Sequence, residues 1–277
     1  MKILVLGDLH ITSNRMHLLP KADKLAAELG VQTIIQVGDF GLSWPGENCP
    51  VARYFNKRAR QSRQGPDWIT CLGNHDNWNT FEKNRTKAIL LNAPTDDLVT
   101  FPALIPYAPG LYASNRPGYI PTYGGMLFLG GAVSTDADYR PPNHAWGTDH
   151  GHPGRVEGKD WWRGEAPTKE ELQNFIDVLE DKKPKWIFTH DGPADAHEAK
   201  GSGLCLKSNM RYDEIARAFQ TISEISEHKP TRWFFGHHHE VLERTFNGTT
   251  FHCCGLHGEA WLLDTDTNVC TSLDLAK

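Results

Sequence analysis

Aspartate, asparagine and histidine recur in five short blocks along this chain: Gly7-Asp8-Leu9-His10, Gly38-Asp39, Gly73-Asn74-His75-Asp76, Thr189-His190-Asp191 and Gly236-His237-His238-His239. Their side chains offer carboxylate oxygen, amide oxygen and imidazole nitrogen, and none of the blocks contains cysteine. That donor set suits Mn, Fe, Zn or Mg better than a thiolate-rich structural zinc. Two such ions roughly 3.5–4 Å apart lower the pKa of a bridging water and clamp the oxygens of a phosphoester. Holding ions that close takes a bridging carboxylate and further nitrogen and oxygen ligands. Any one block alone is a weak signal, because a lone Asp-x-His arises by chance. Five together in this order are informative.

The elements that must aim these side chains are strands. Each block closes an apolar run, at residues 3–6, 33–37, 68–72, 186–188 and 232–235. Strands ending in polar residues gather ligands on the carboxyl edge of a sheet. Between the first blocks the period changes to that of a helix. Leu18, Ala22, Leu25, Ala26 and Leu29 form a stripe that Gly30 ends, and Val51, Tyr54, Phe55 and Ala59 form another. The alternation predicts a βαβαβ unit and a parallel sheet. Residues 104–133 read as short strands and turns of a second sheet. Thr168 and Glu171 form a capping-box pattern before the stripe Leu172, Phe175, Ile176 and Leu179. A further helix is expected around 208–227, with Ile215, Phe219 and Ile222 inward. The alternation after His239 predicts antiparallel strands closing the second sheet.

Length and composition bound the rest. The chain has 277 residues, a net charge of -5 and 39% hydrophobic residues. It is long enough to bury a substantial core, and it reads as one domain over 1–277. The acidic balance argues against wholesale attraction to nucleic acid or membrane. Apolar runs are short, so no segment is expected to span a membrane. The start of the chain reads as a strand and not as a signal peptide. Six cysteines without CxxC spacing point to reduced thiols and a cytoplasmic setting.

The order DxH, GD, GNH(D/E), H, GHxH resembles the calcineurin-like metallophosphoesterase superfamily, over most of the chain. The resemblance implies an α/β fold, a four-layer αββα sandwich of two mixed sheets. It implies two divalent ions, manganese first, with Fe, Zn, Ni or Mg as alternatives. By motif, Asp8, His10 and His239 would hold one ion, Asn74, His190 and His237 the other, and Asp39 would bridge them. His75 would not ligate but would point to the leaving-group oxygen, as general acid or as a stabiliser of the phosphate, while a hydroxide held between the metals attacks. His238 reads as a spacer facing away.

Departures and weaker signals bear on the substrate. The protein Ser/Thr phosphatase branch carries GDxxDRG, whose second Asp orients the catalytic histidine, whereas Leu42 stands in that place here. Asp76 is a candidate substitute. Residues 134–166 are irregular, rich in Trp, His and charge, and expected on the substrate side. Gly131 to Asp136 with Arg140, ahead of Trp161-Trp162, resembles a loop of bacterial and phage members. Arg140 either reaches the substrate phosphate or pairs with Asp136 or Asp138. His144, His150 and His152 read as surface residues before substrate contacts. Arg53, Lys57, Arg58, Arg60 and Arg63 make a basic helix face, solvated or bound to nucleic-acid phosphates. Cys253-Cys254 read as small buried hydrophobes, and His252 and His257 stay unassigned. The expectation is a two-metal phosphoesterase acting on a small, nucleotide-like monoester or diester. A nuclease acting on DNA or RNA ends is the alternative, and a catalytically inactive scaffold the remote one, since every ligand position is filled.

Overall fold

A computed structural model describes residues 1–42, 48–92, 103–134, 157–158, 161–197 and 214–275. In chain order the strands and helices are β1 (Lys2–Leu6), α1 (Leu18–Leu29), β2 (Thr33–Gln36), α2 (Pro50–Arg60), β3 (Asp67–Thr70), α3 (Trp78–Asn92), β4 (Leu104–Ala108) and β5 (Leu111–Ser114). There follow β6 (Gly118–Ile120), β7 (Met126–Leu129), α4 (Lys169–Lys182), β8 (Trp186–Thr189), α5 (Ala194–His197) and α6 (Glu214–Ile225). The chain ends in β9 (Arg232–Phe235), β10 (Leu242–Phe246), β11 (Thr249–Cys253), β12 (Glu259–Asp264) and β13 (Val269–Asp274).

These strands make two mixed sheets. One runs β13-β12-β1-β2-β3-β5-β4 and the other β10-β11-β9-β8-β7-β6. The expected parallel core is present, with β1, β2, β3 and β5 parallel in the first sheet and β7, β8 and β9 in the second. Two expectations are corrected. β4 and β5, within 104–133, belong to the first sheet, leaving only β6 and β7 to the second. After His239 only β10 and β11 extend the second sheet, with β11 parallel to β9, while β12 and β13 cross to the first sheet beside β1. Alternation marks a strand but carries no information about its partner.

Packing follows from strands that are apolar on both faces. Leu4, Leu6, Ile34 and Trp68 face Leu19, Ala22 and Phe55 of α1 and α2. On the other side of the same strands, Ile3, Val5, Ile35 and Val37 meet Phe128, Trp186, Phe188 and Phe234 between the sheets. The outer face of the second sheet packs Ile187, Trp233 and Phe235 on Phe175, Leu179 and Phe219 of α4 and α6. The result is the four-layer αββα sandwich. Local signals behave as the sequence implies: Gly30 caps α1 at φ 69°, and Thr168 and Glu171 close both bonds of the capping box. The described part of the last helix begins at Glu214, and residues 208–213 lie outside the described residues.

Candidate metal centre

All five blocks fall where strands run out at one edge of the sandwich. Asp8 and His10 follow β1, Asp39 follows β2, and Asn74 and His75 follow β3. His190 follows β8, and His237 and His239 follow β9. The first sheet therefore brings carboxylates and the amide, and the second brings imidazoles. Backbone hydrogen bonds lace the turns together: His10 N donates to Asp39 O at 2.8 Å, Gly236 N to His190 O at 2.9 Å, and His237 N to Asp8 Oδ2 at 2.9 Å.

The turns have unusual backbone. Asp8 (φ 46°), His10 (42°), Asp39 (52°), His237 (68°) and His239 (58°) all sit in the left-handed region. That region is costly for residues with a Cβ, and such strain concentrates at functional sites. Gly38, at φ 97°, is needed for a further reason, since a Cβ there would lie 2.1 Å from His190 Nδ1. Gln36 closes this turn by accepting from Gly38 N at 2.9 Å and from Thr70 Oγ1 at 2.7 Å.

Two clusters form. Asp8, His10 and His239 offer ligand atoms within 4.8 Å of one another, and so do Asp8, Asp39 and His190. Asp39 also reaches across, with Oδ2 3.6 Å from His10 Nε2 and Oδ1 3.4 Å from His190 Nε2. Asn74 Oδ1 lies 3.0 Å from His190 Nε2, and the rings of His190 and His237 are 5.1 Å apart. His75 stands at the rim, Nε2 4.0 Å from Asp39 Oδ2, and its backbone N–H donates to Asp39 Oδ1 at 2.8 Å. Arg140 lies outside the described residues, as do His144, His150 and His152.

The chemistry of these atoms fits a pair of cations. His190 Nδ1 lies 2.8 Å from Val37 O, which makes Nδ1 the protonated nitrogen and leaves Nε2 with a lone pair. That lone pair faces the oxygens of Asn74 and Asp39 with no proton among the three in the neutral imidazole. Asp8 Oδ1 is buried without any hydrogen-bond partner. Burial, then the neighbouring Asp39, pushes the Asp8 carboxyl well above its ordinary range. Burial raises Asp39 too, but the imidazoles of His190, His75 and His10 outweigh it and hold Asp39 below the usual value. Burial lowers His10 to about 4 and His237 to about 3, so both are neutral near pH 7, the form that binds metals. Two buried carboxylates and convergent lone pairs are costly without positive charge between them.

The remaining sequence candidates are placed as follows. Asp76 does not orient His75. Its buried carboxylate accepts from the backbone N–H groups of Phe40, Gly41, Leu42 and Gly73 at 2.8–3.2 Å, tying the second block to the third. His238 turns to Asp191, Nε2 to Oδ1 at 3.0 Å. Arg58 leaves the basic face and is buried on Asp23, while Arg53, Lys57, Arg60 and Arg63 are exposed. Cys253 and Cys254 are buried free thiols raised by desolvation. His257, on a left-handed turn at φ 58°, lies beside the centre, its ring 6.4 Å from that of His10 and its N–H bonded to Asp8 O. Sequence reasoning missed the Asp191–His238 pair, although both residues adjoin ligand candidates. It also missed Glu165, whose only signal was its place in the irregular stretch.

The family model for calcineurin-like phosphoesterases matches residues 1–241. The chain belongs to the calcineurin-like phosphoesterase family. It is thus a metal-dependent phosphoester hydrolase, and the family works with a dinuclear metal centre. No curated protein matches the sequence. Among solved structures, the Thermus thermophilus protein TT1561 superposes with TM-score 0.56 at 15% identity, covering 99% of this chain and 98% of that one. GAP50, the anchor in the inner membrane complex of Plasmodium, gives 0.53 at 11% identity over 100% and 89% of the two chains. A dimetal phosphatase from Danio rerio gives 0.51 at 15% over 95% and 91%. At these identities the likeness is one of fold. Among the described residues, no helix is long and apolar enough to cross a membrane.

Proposed function

We propose that the whole chain works as one domain hydrolysing a small, nucleotide-like phosphoester with two divalent ions, manganese foremost. Asp8, His10 and His239 would hold one ion, Asn74, His190 and His237 the other, and Asp39 would serve both. One observation carries this reading: the lone pairs of His190, Asn74 and Asp39 converge beside a buried Asp8 oxygen that has no donor. Bound ions would supply an activated water and neutralise charge growing on the phosphoryl group.

The protein's own residues divide the remaining work. Asp39 receives the His75 N–H and so fixes the backbone that carries that imidazole. His75, partly exposed at the rim, is placed to give a proton to the leaving oxygen. Arg140 is assigned to the substrate phosphate on the strength of guanidinium–phosphate geometry alone. Buried free thiols support a reducing, cytoplasmic setting.

Metal analysis of the purified protein, with hydrolysis of bis-p-nitrophenyl phosphate in added manganese, tests the reading. About two ions per chain and metal-dependent turnover are expected. Far fewer ions and an inert protein would refute it. A panel of nucleotides, cyclic nucleotides and short oligonucleotides then ranks substrates. A strong preference for oligonucleotides would replace the small-substrate assignment with a nuclease.

A further inference from the structure

Behind Asn74 runs a buried chain of hydrogen bonds that the two-metal reading leaves unused. Asn74 Nδ2 donates to Ser134 Oγ at 3.1 Å. Ser134 N donates to Glu165 Oε1 at 2.6 Å, which sets the Ser134 hydroxyl beside the same carboxylate, where it favours the charged form. The other oxygen, Oε2, accepts from Trp162 N at 3.1 Å. Ser134 is fully buried, and Asn74 and Glu165 are each 3% exposed. Glu165 is itself anchored: Arg116 donates to its backbone O at 3.2 Å, stacks on Trp78 at 4.0 Å and pairs with Glu171 at 3.0 Å.

Direction is what makes this chain informative. An ionised carboxylate only accepts. The charge of Glu165 beside the Ser134 hydroxyl turns the hydroxyl proton towards itself, which leaves Ser134 Oγ as the acceptor for the amide N–H that lies 3.1 Å away. Asn74 must then present Nδ2 to Ser134 and Oδ1 to His190, the orientation a metal ligand needs. An asparagine amide is nearly symmetric in shape, so without this polarity either end fits. Burial raises the Glu165 carboxyl, and the backbone donors of Ser134 and Trp162 oppose that rise.

We propose that Glu165 is a positioning residue which, through Ser134, locks the Asn74 amide with its oxygen towards the second metal position. The proposal rests on the two-metal reading, and it concerns only one of the two positions. Glu165→Gln is the direct probe, since its amide can donate to Ser134 Oγ and reverse the chain. Ser134→Ala is the second probe. It keeps both backbone N–H bonds to Glu165 and removes only the relay.

The experiment is titration of the metal-free proteins with Mn(II), following free ion by electron paramagnetic resonance, alongside thermal melts without metal. Wild type should bind two ions. Each variant should melt within a few degrees of wild type, keep one ion at wild-type affinity and bind the other roughly 10–100-fold more weakly, the range for altered outer partners of a ligand. Saturating manganese should restore much of the lost kcat in both variants. Unchanged affinity at both positions would overturn the proposal, and so would equal weakening at both. If wild type itself binds no manganese, the two-metal reading fails instead.

Discussion

Asp8, His10, Asp39, His237 and His239 each present a candidate ligand atom from left-handed backbone, at a cost of order 1–3 kcal/mol per residue. Hydrogen bonds between the turns hold them there, and bound cations would add to that hold. His75 differs, since it stands at the rim with ordinary backbone. Replacing it tests its role alone: His75→Ala should lower kcat by about 10²–10⁴-fold and leave two metals per chain. Loss of a metal from that variant would instead make His75 a ligand. His252 offers a pH prediction away from the centre. It is buried, stacked on Phe234, and takes a 2.7 Å contact from Arg232. Burial, then Arg232, lowers it to about 3. Above pH 6.5 both folded and unfolded forms are neutral there and the residue is without cost. Below 6.5 only the unfolded chain takes the proton, so stability falls with pH down to about 3, by up to about 1.4 kcal/mol per unit. His252→Gln, measured with metal bound between pH 4.5 and 7, should flatten that slope. At this scale the ligand candidates were legible because type and spacing carry them. Glu165 was not, because it meets Ser134 across 31 residues with no periodicity to mark it.

The elements deliver these residues through turns with almost no spare volume. Gly38 lies against the His190 ring, and a Cβ on Gly73 would meet Asp39 Oδ1 at 2.1 Å. Gly38→Ala should displace His190, cost the ion proposed to bind there, and destabilise the fold by about 1–3 kcal/mol. Metal content and urea unfolding of the same preparation check both parts. Retention of both ions would show that the turn yields. Helix boundaries were readable at this scale, as Gly30 and the Thr168–Glu171 box show, because caps are local. Strand partners were not. In β12, Trp261 and Leu263 face the gap between the sheets while Ala260 faces the helices, so both faces are apolar and the strand suits either sheet.

Across the whole molecule, the centre draws its carboxylates and amide from one sheet and most of its imidazoles from the other. Metal binding should therefore fasten the two halves of the sandwich together. At saturation each ion contributes about 3 kcal/mol, so chelation should lower Tm by roughly 5–15 °C. Calorimetry with and without a chelator measures it, and an unchanged Tm would separate the ions from the fold. The layer order was anticipated through the family resemblance of the five blocks, and strands apolar on both faces, which must be covered on both, are its physical reason.

β1 leads directly into Asp8 and His10, and its neighbours are β2 on one side and β12 on the other, Lys2 opposite Asp264. During synthesis β2 emerges soon after β1, but β12, which covers the other edge, begins only at Glu259, after all five blocks have been made. At about 5–20 residues per second, that edge waits on the order of ten to fifty seconds with its N–H and C=O groups unpaired. β1 thus gains its second partner only after the strands that lead into the other blocks have been made. Nascent chains stalled before Glu259 should hold Asp8 and His10 beside an open edge prone to wrong pairing, and metal capture should come only once β12 has emerged.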